Sequence, residues 1–399
     1  MASSSENNDN SSKTVNLLDL AASCLSSAIV AADQITSFTK TKNARLKNDG
    51  SFVTDADMAA QKVIVDGIRK ISNLVRIVGE ENEEEMRSST IIGYENQLDT
   101  MYQLAKKEIL IRYNYKHRDD NDDELPLAKQ QQQVEEEESA TPEIEETVPS
   151  KTTAKATTKI NKMEVYEVDV QRVSIFVDPL DATGSYAKGD YDPVSILVAI
   201  VLDNQPCFGV ICKPFGYPKQ TSILDTESVA IYGGTLLGAA YTAGGGAVTR
   251  KGIFSNKEAT EADNNIKQNN LPRAVISSSR SHGIVQNFVT HMGERGLIHP
   301  EPLLVSGAGE KSLRIILRSE QEGLWFFPKG GTSLWDVAAS DALLRATGGK
   351  LTDKYGNDMD YSKSRTEAEN VDGVVACYDQ TLHAECIRIF LEGTWQDED

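Results

Sequence analysis

Apolar residues recur at helical spacing over residues 15–38, with Leu17, Leu20, Cys24, Ala28, Ala31 and Ile35 forming one stripe. Residues 58–71 repeat the pattern behind a capping position at Thr54. Elsewhere the pattern shortens to β-branched and aromatic runs at 75–78, 173–177, 194–202, 207–212, 229–232, 274–276, 324–327 and 374–378. A further Ala-rich helix opens at Trp335 and is stopped by Gly348 and Gly349. Strands alternating with helices predict an α/β fold whose helical stripes are core.

The alternation breaks over residues 82–164, which are polar and acidic, with blocks such as Asp119 to Glu124 and Glu135 to Glu138. Low apolar content and like-charge blocks bury too little surface to offset ordering entropy, so this insertion is expected to be largely disordered apart from a helix over 98–113. Its removal over 116–160 is expected to preserve activity. The predicted organisation is a tail (1–14), a first α/β half (15–81 and 165–215), the insertion (82–164) and a second α/β half (216–399).

Composition narrows the function. The 41 basic and 60 acidic residues give a formal charge of −19, which argues against a nucleic-acid polymer or an anionic membrane as partner and leaves a small anionic substrate met by local positive charge. A protein partner for the acidic insertion has no specific support. Cys24, Cys207, Cys212, Cys377 and Cys386 lack metal-site spacing and read as reduced core thiols. Residues 1–14 have no apolar signal core, and no later apolar run is expected to be long enough to span a bilayer, so a cytoplasmic location is expected.

The candidate chemistry is a dispersed set of acids. The 173–177 strand runs into Asp178-Pro179-Leu180-Asp181-Ala182-Thr183, where a proline biases Asp178 toward extended geometry and the chain turns back at Asp181. Two carboxylates and the Leu180 carbonyl suit a hard cation such as Mg²⁺ better than zinc; alone, the segment also reads as a turn capped by aspartates. Glu80 follows the 75–78 strand and Gly79, at the head of an acidic run, Glu81 to Glu85, that by itself reads as a solvated loop. Asp336 opens the Ala-rich helix, where a cap is the simpler reading. The acids lack the regular loop spacing of an EF-hand. Hydrolysis of a phosphate ester needs charge stabilisation and an aligned water, which two or more Mg²⁺ ions supply. The Thr183 hydroxyl paired with Asp57 is placed to hold that water and relay its proton. Amides from Ala182 onward suit the substrate phosphate if Thr183 starts a helix. An anion pocket is expected at Ser277-Ser278-Ser279-Arg280-Ser281-His282, and the Gly-rich turn Ser306-Gly307-Ala308-Gly309-Glu310-Lys311 leads into another helix, with Lys311 also readable as surface charge.

Four motifs in order, Val53-Thr54-Asp55-Ala56-Asp57, Gly79-Glu80-Glu81, Asp178 to Thr183, and Trp335-Asp336 followed by Gly348-Gly349, resemble those of the inositol monophosphatase superfamily of magnesium-dependent, lithium-sensitive phosphatases. The resemblance implies a layered α-β-α-β-α sandwich with Glu80, Asp178, the Leu180 carbonyl, Asp181 and Asp336 as ligands for two or three Mg²⁺ ions. It also implies Asp57 and Thr183 as the proton-accepting pair. Ala182 departs from the glycine frequent among relatives. The segments at 280–282, 307–311 and 348–357 most resemble the 3′(2′),5′-bisphosphate nucleotidases, implying hydrolysis of adenosine 3′,5′-bisphosphate and nucleotide contacts from Ala182, Thr183, Ser279, Arg280, His282, Gly307 and Lys311. Inositol polyphosphate 1-phosphatases are the next closest group. A catalytically inactive binding protein with the same fold is the competing class.

Overall fold

The computed structural model describes residues 13–82 except 42, 48, 49 and 51, then 84, 86, 91, 93–117, 166–217, 228–244, 271–318 and 321–395. The expected tail, apart from residues 13 and 14, and most of the acidic insertion lie outside the described residues.

The chain opens with β1 (Thr14–Asn16) and α1 (Leu17–Ser37), a short hairpin β2 (Arg45–Leu46) and β3 (Phe52–Val53), then α2 (Asp55–Ile71), β4 (Arg76–Gly79) and α3 (Glu95–Lys116). After β5 (Glu167–Asp169) come β6 (Val173–Asp181), the short α4 (Thr183–Lys188), β7 (Ser195–Leu202), β8 (Gln205–Lys213), β9 (Val229–Gly234) and β10 (Ala239–Gly244). The remainder is β11 (Arg273–Ser277), α5 (Ile284–Glu294), β12 (Leu303–Val305), α6 (Ala308–Leu317), β13 (Glu322–Phe327), α7 (Leu334–Thr347), β14 (Lys350–Thr352), β15 (Val374–Cys377) and α8 (Gln380–Glu392).

A six-stranded sheet in the order β10-β9-β8-β7-β6-β4 and a five-stranded sheet in the order β12-β11-β13-β15-β14 form the two β layers. Period-two alternation explains why the central strands of the first sheet are apolar throughout. Val173, Ile175 and Val177 of β6 and Ile196, Val198 and Ile200 of β7 face the core with α1, α2 and α3, whereas Phe176, Leu197, Ala199 and Val201 face α6 and α7. Helices α6 and α7 lie between the sheets, and α5 and α8 cover the second sheet. The result is the expected α-β-α-β-α sandwich.

The helix expected over 98–113 is present as α3, and it belongs to the core, with Leu98, Ala105 and Ile109 buried against α1. Its last residue, Lys116, donates to the Thr235 and Leu236 carbonyls, so a deletion beginning at 116 cuts a structural contact. Two other expectations are corrected. The division at 216 falls inside the first sheet, because β9 and β10 continue it to Gly244, with the Tyr232 hydroxyl donating to Glu108 of α3 at 2.7 Å. Finally, α1 is long and apolar enough to cross a membrane by length and composition; Leu20, Ala21, Ala22, Cys24, Ala28 and Ala31 are instead fully buried in the core. All five cysteines are free, four of them buried.

Candidate active site

Parallel pairing of β4 with β6 sets Gly79 beside Val177, and the Glu80 amide donates to the Val177 carbonyl at 3.0 Å. Glu80 and Asp178 therefore leave the same end of adjacent strands. The sequence suggests a turn at Asp178, but β6 continues through Asp181 with a bulge: Asp178 pairs with Leu197 and Asp181 with Ser195. A bulge re-aims side chains without ending the strand. Asp178 Oδ1 accepts the Leu180 amide at 3.1 Å, and Ala182 then takes a left-handed conformation (φ 66, ψ 39) that starts α4 at Thr183.

Asp181 is anchored from two sides. Its Oδ1 accepts the Ala308 amide at 3.0 Å, and its Oδ2 accepts the Gly309 amide at 2.8 Å and the Ser195 hydroxyl at 3.1 Å. The first amides of α6 thus point at a carboxylate, the favourable sense for a helix N-terminus. Gly307, at φ +75, precedes that helix, and a Cβ there would stand 2.7 Å from Asp181 Oδ2. Asp336 is the third residue of α7, and its Oδ2 accepts the Ser333 amide at 2.7 Å in a capping box. The capping reading is correct, and the same carboxylate also lies in the field of Asp181, Glu80 and Asp178.

These acids repel one another. Burial, followed by the charges of Glu80, Asp181 and Asp336, raises the Asp178 pKa well above the usual carboxylate range. Burial and the charges of Asp181 and Glu80 push Asp336 up to about 7. Asp57 is fully buried; its Oδ2 accepts the Thr54 amide at 2.8 Å and the Thr54 hydroxyl at 2.5 Å, and its Oδ1 faces the Thr183 hydroxyl at 3.0 Å. Burial pushes its pKa up to about 8, against the Thr54 hydrogen bonds and with help from Glu80 and Glu81. The Thr183 hydroxyl also lies 2.8 Å from the Leu180 carbonyl, so both its possible acceptors belong to the predicted site.

Sequence reasoning missed several partners. Glu81 is buried rather than solvated: the Gln61 amide clamps its backbone with bonds of 2.7 and 2.9 Å. Lys47, from the β2–β3 hairpin, puts its ammonium 2.7 Å from Glu80 and 2.6 Å from Glu81. Arg365 donates to the Gly79 and Glu80 carbonyls from the far side. Only Thr54 carried a sequence signal, as a cap.

The substrate residues divide. Lys311 is buried, donates to the Gly307 carbonyl at 2.6 Å and stands 5.4 Å from the Trp325 ring centre. Burial lowers its pKa to about 8 against the pull of Asp181 and Asp336, which places it within reach of the acids. Arg280 is exposed, its Nη1 3.0 Å from the Gly331 carbonyl and its guanidinium over Phe327. Ser279 and His282 are exposed, and among the described residues no hydrogen bond or ion pair ties either to the acids.

Among the described residues, no three histidine, cysteine, aspartate or glutamate side chains already close on one point as a metal cage. Lys47 pairs with Glu80, and backbone amides occupy both Asp181 oxygens. The donor chemistry nevertheless fits a divalent cation: four crowded carboxylates and a carbonyl are hard oxygens, and burial with mutual repulsion raises the proton affinities of Asp178 and Asp336.

The inositol monophosphatase family pattern matches residues 85–392, a span that includes Asp178, Asp181, Thr183, Lys311 and Asp336 and begins after Asp57 and Glu80. The chain is 27% identical over 377 residues to 3′(2′),5′-bisphosphate nucleotidase 1 of Dictyostelium discoideum, covering 91% of this chain and 94% of that protein. With the human protein of the same name it is 30% identical over 205 residues, 51% of this chain and 56% of that one. Among solved structures, the extragenic suppressor protein suhB from Bartonella henselae superposes with a TM-score of 0.51 at 15% identity, over 93% of this chain and 98% of that one, which shows a shared fold.

Proposed function

Because the chain belongs to the inositol monophosphatase family, we propose that it is a magnesium-dependent phosphomonoesterase that removes the 3′-phosphate of adenosine 3′,5′-bisphosphate and related sulfated nucleotides. The observation that carries this reading is the Thr183–Asp57 pair, set beside a buried cluster of acids on two neighbouring strands. Likeness to a named bisphosphate nucleotidase along nearly the whole chain favours the nucleotide over other monoesters.

The carboxylates of Glu80, Asp178, Asp181 and Asp336, with the Leu180 carbonyl, are the groups that would hold two or three Mg²⁺ ions. Bound there, Mg²⁺ supplies charge neutralisation for the phosphoryl oxygens and activation of water. Thr183 Oγ1 donates to Asp57 Oδ1, which leaves a lone pair to orient the attacking water. As water attacks phosphorus, its proton moves to Thr183 Oγ1 and the threonine proton to the Asp57 Oδ1 carboxylate that faces it. The P–O bond to the ribose breaks, and the departing oxygen takes a proton from solvent. Lys311, inside the site, and Arg280, at its surface, attract the substrate's negative charge. The free thiols support a reducing, cytoplasmic location.

The test is phosphate release by purified protein from adenosine 3′,5′-bisphosphate and, separately, inositol 1,4-bisphosphate, each with Mg²⁺. Faster turnover of the nucleotide supports the reading. Preference for the inositol reassigns the protein to the inositol polyphosphate 1-phosphatases, and release from neither refutes the enzyme.

A further inference from the structure

The two groups that anchor Asp181, the Ser195 hydroxyl at the start of β7 and the first amides of α6, come from segments far apart in sequence. One buried ammonium ties both. Lys213 ends β8 with its side chain 2% exposed, and its Nζ donates to the Asp192 carbonyl at 2.6 Å and to Glu310 Oε2 at 2.8 Å. Asp192 lies just before Ser195, and Glu310 directly follows Gly309. The other Glu310 oxygen takes Arg314 Nε at 3.0 Å, and Arg314 reaches Glu322 of β13 at 3.2 Å, so the bridge runs on into the second sheet.

A buried ion pair offers little stability over apolar side chains of the same volume. What these charges add is direction. Two donations from one ammonium fix the approach of β7 and α6, and there is no slack between them, since a Cβ on Gly309 would stand 2.2 Å from the Ser195 hydroxyl. We infer that Lys213 is a positioning residue, which aligns Asp181 for the reaction by clamping the segment leading into Ser195 and the start of α6 at once. The inference rests on the phosphatase reading, in which Asp181 is a metal ligand; the clamp itself is a property of the fold.

Lys213→Met removes the clamp but leaves Glu310 its Arg314 partner. In metal-free protein, hydrogen exchange at the Ala308 and Gly309 amides should then accelerate about tenfold relative to later amides of α6. The Mg²⁺ concentration for half-saturation by calorimetry should rise about tenfold, and kcat/KM for adenosine 3′,5′-bisphosphate should fall by a similar factor. Lys213→Arg, which keeps the charge, should recover most of each. If Lys213→Met does not fold, Lys213→Met with Glu310→Gln is read in the same way. A purely structural lysine would lower the Tm while leaving the relative amide exchange and Mg²⁺ affinity at wild-type values, which overturns the inference. Exchange needs no substrate, so a wild-type protein that releases no phosphate defeats the proposed function while the exchange result still decides the clamp.

Discussion

Gly307→Ala puts the apposition of Asp181 and α6 under direct strain. Gly307 sits at φ +75 and ψ 142, a region that residues with a Cβ rarely enter, and holding alanine there costs about 1–3 kcal/mol. The new Cβ would also meet Asp181 Oδ2 at 2.7 Å, the Pro193 carbonyl oxygen at 3.1 Å and the Ala182 Cβ at 3.3 Å. The Pro193 carbonyl and the Ala182 Cβ are fixed to the backbone and cannot swing away, so overpacking adds about 1–3 kcal/mol. The combined loss is about 2–6 kcal/mol, and Asp181 must move if the helix does not. Gly296→Ala is the control: it has φ +68 but nothing within 4 Å, so only backbone strain of about 1–2 kcal/mol is at stake, partly offset by about 0.4–1 kcal/mol from the stiffer unfolded chain. Urea midpoints, with hydrolysis measured on the folded fraction, should show Gly307→Ala markedly weaker in both and Gly296→Ala close to wild type. A Gly307→Ala protein with wild-type midpoint and turnover would refute the packing of α6 against Asp181.

Thr183→Val should lower kcat by roughly 10²–10⁴-fold with the fold retained, since it removes only the hydroxyl facing Asp57; steady-state kinetics beside an unchanged circular dichroism spectrum checks this. In EDTA, the folded protein holds protons on Asp57, with its pKa pushed up to about 8, and on Asp336 and Glu81, pushed up to about 7, that the unfolded chain releases near pH 4. The folded state therefore binds more protons between about pH 4 and 8, and stability should fall as pH rises through that window; a rising Tm from pH 5 to 8 would contradict it. Lys47→Met leaves Glu80 and Glu81 facing each other, so the metal-free protein should lose about 2 kcal/mol. Added Mg²⁺ should then raise the Tm more in this variant than in wild type, and an equal rise would count against the ion pair.

Much of the site was legible because its key acids sit in short contiguous runs at strand and helix ends. Asp178 and Asp181 follow an apolar run, Glu80 follows another, and Asp336 opens a helix; local pattern alone left Glu80 in a solvated loop and Asp336 as a cap, and the ordered set of motifs singled them out together. The groups that orient them were not legible. Ser195, the Ala308 and Gly309 amides, Gln61, Lys47 and Arg365 act across long sequence separations, and several contribute only through backbone or as common polar residues with no periodic signature. The helix over 98–113 was legible, but not its place in the core, because its few buried apolar residues, Leu98, Ala105 and Ile109, are diluted by charged neighbours. The boundary near 216 misled for a related reason: β9 and β10 are short and rich in alanine and glycine, and only their pairing shows which sheet they extend.

The central claim is that folding gathers Glu80, Asp178, Asp181 and Asp336 to serve a divalent cation beside a phosphate monoester. The most direct measurement is phosphate release from adenosine 3′,5′-bisphosphate by wild type and Asp178→Asn, each with Mg²⁺ and with EDTA. The account predicts release by wild type with Mg²⁺ alone, and none by an Asp178→Asn protein of unchanged fold. Release that persists in EDTA, or normal turnover by Asp178→Asn, would contradict it.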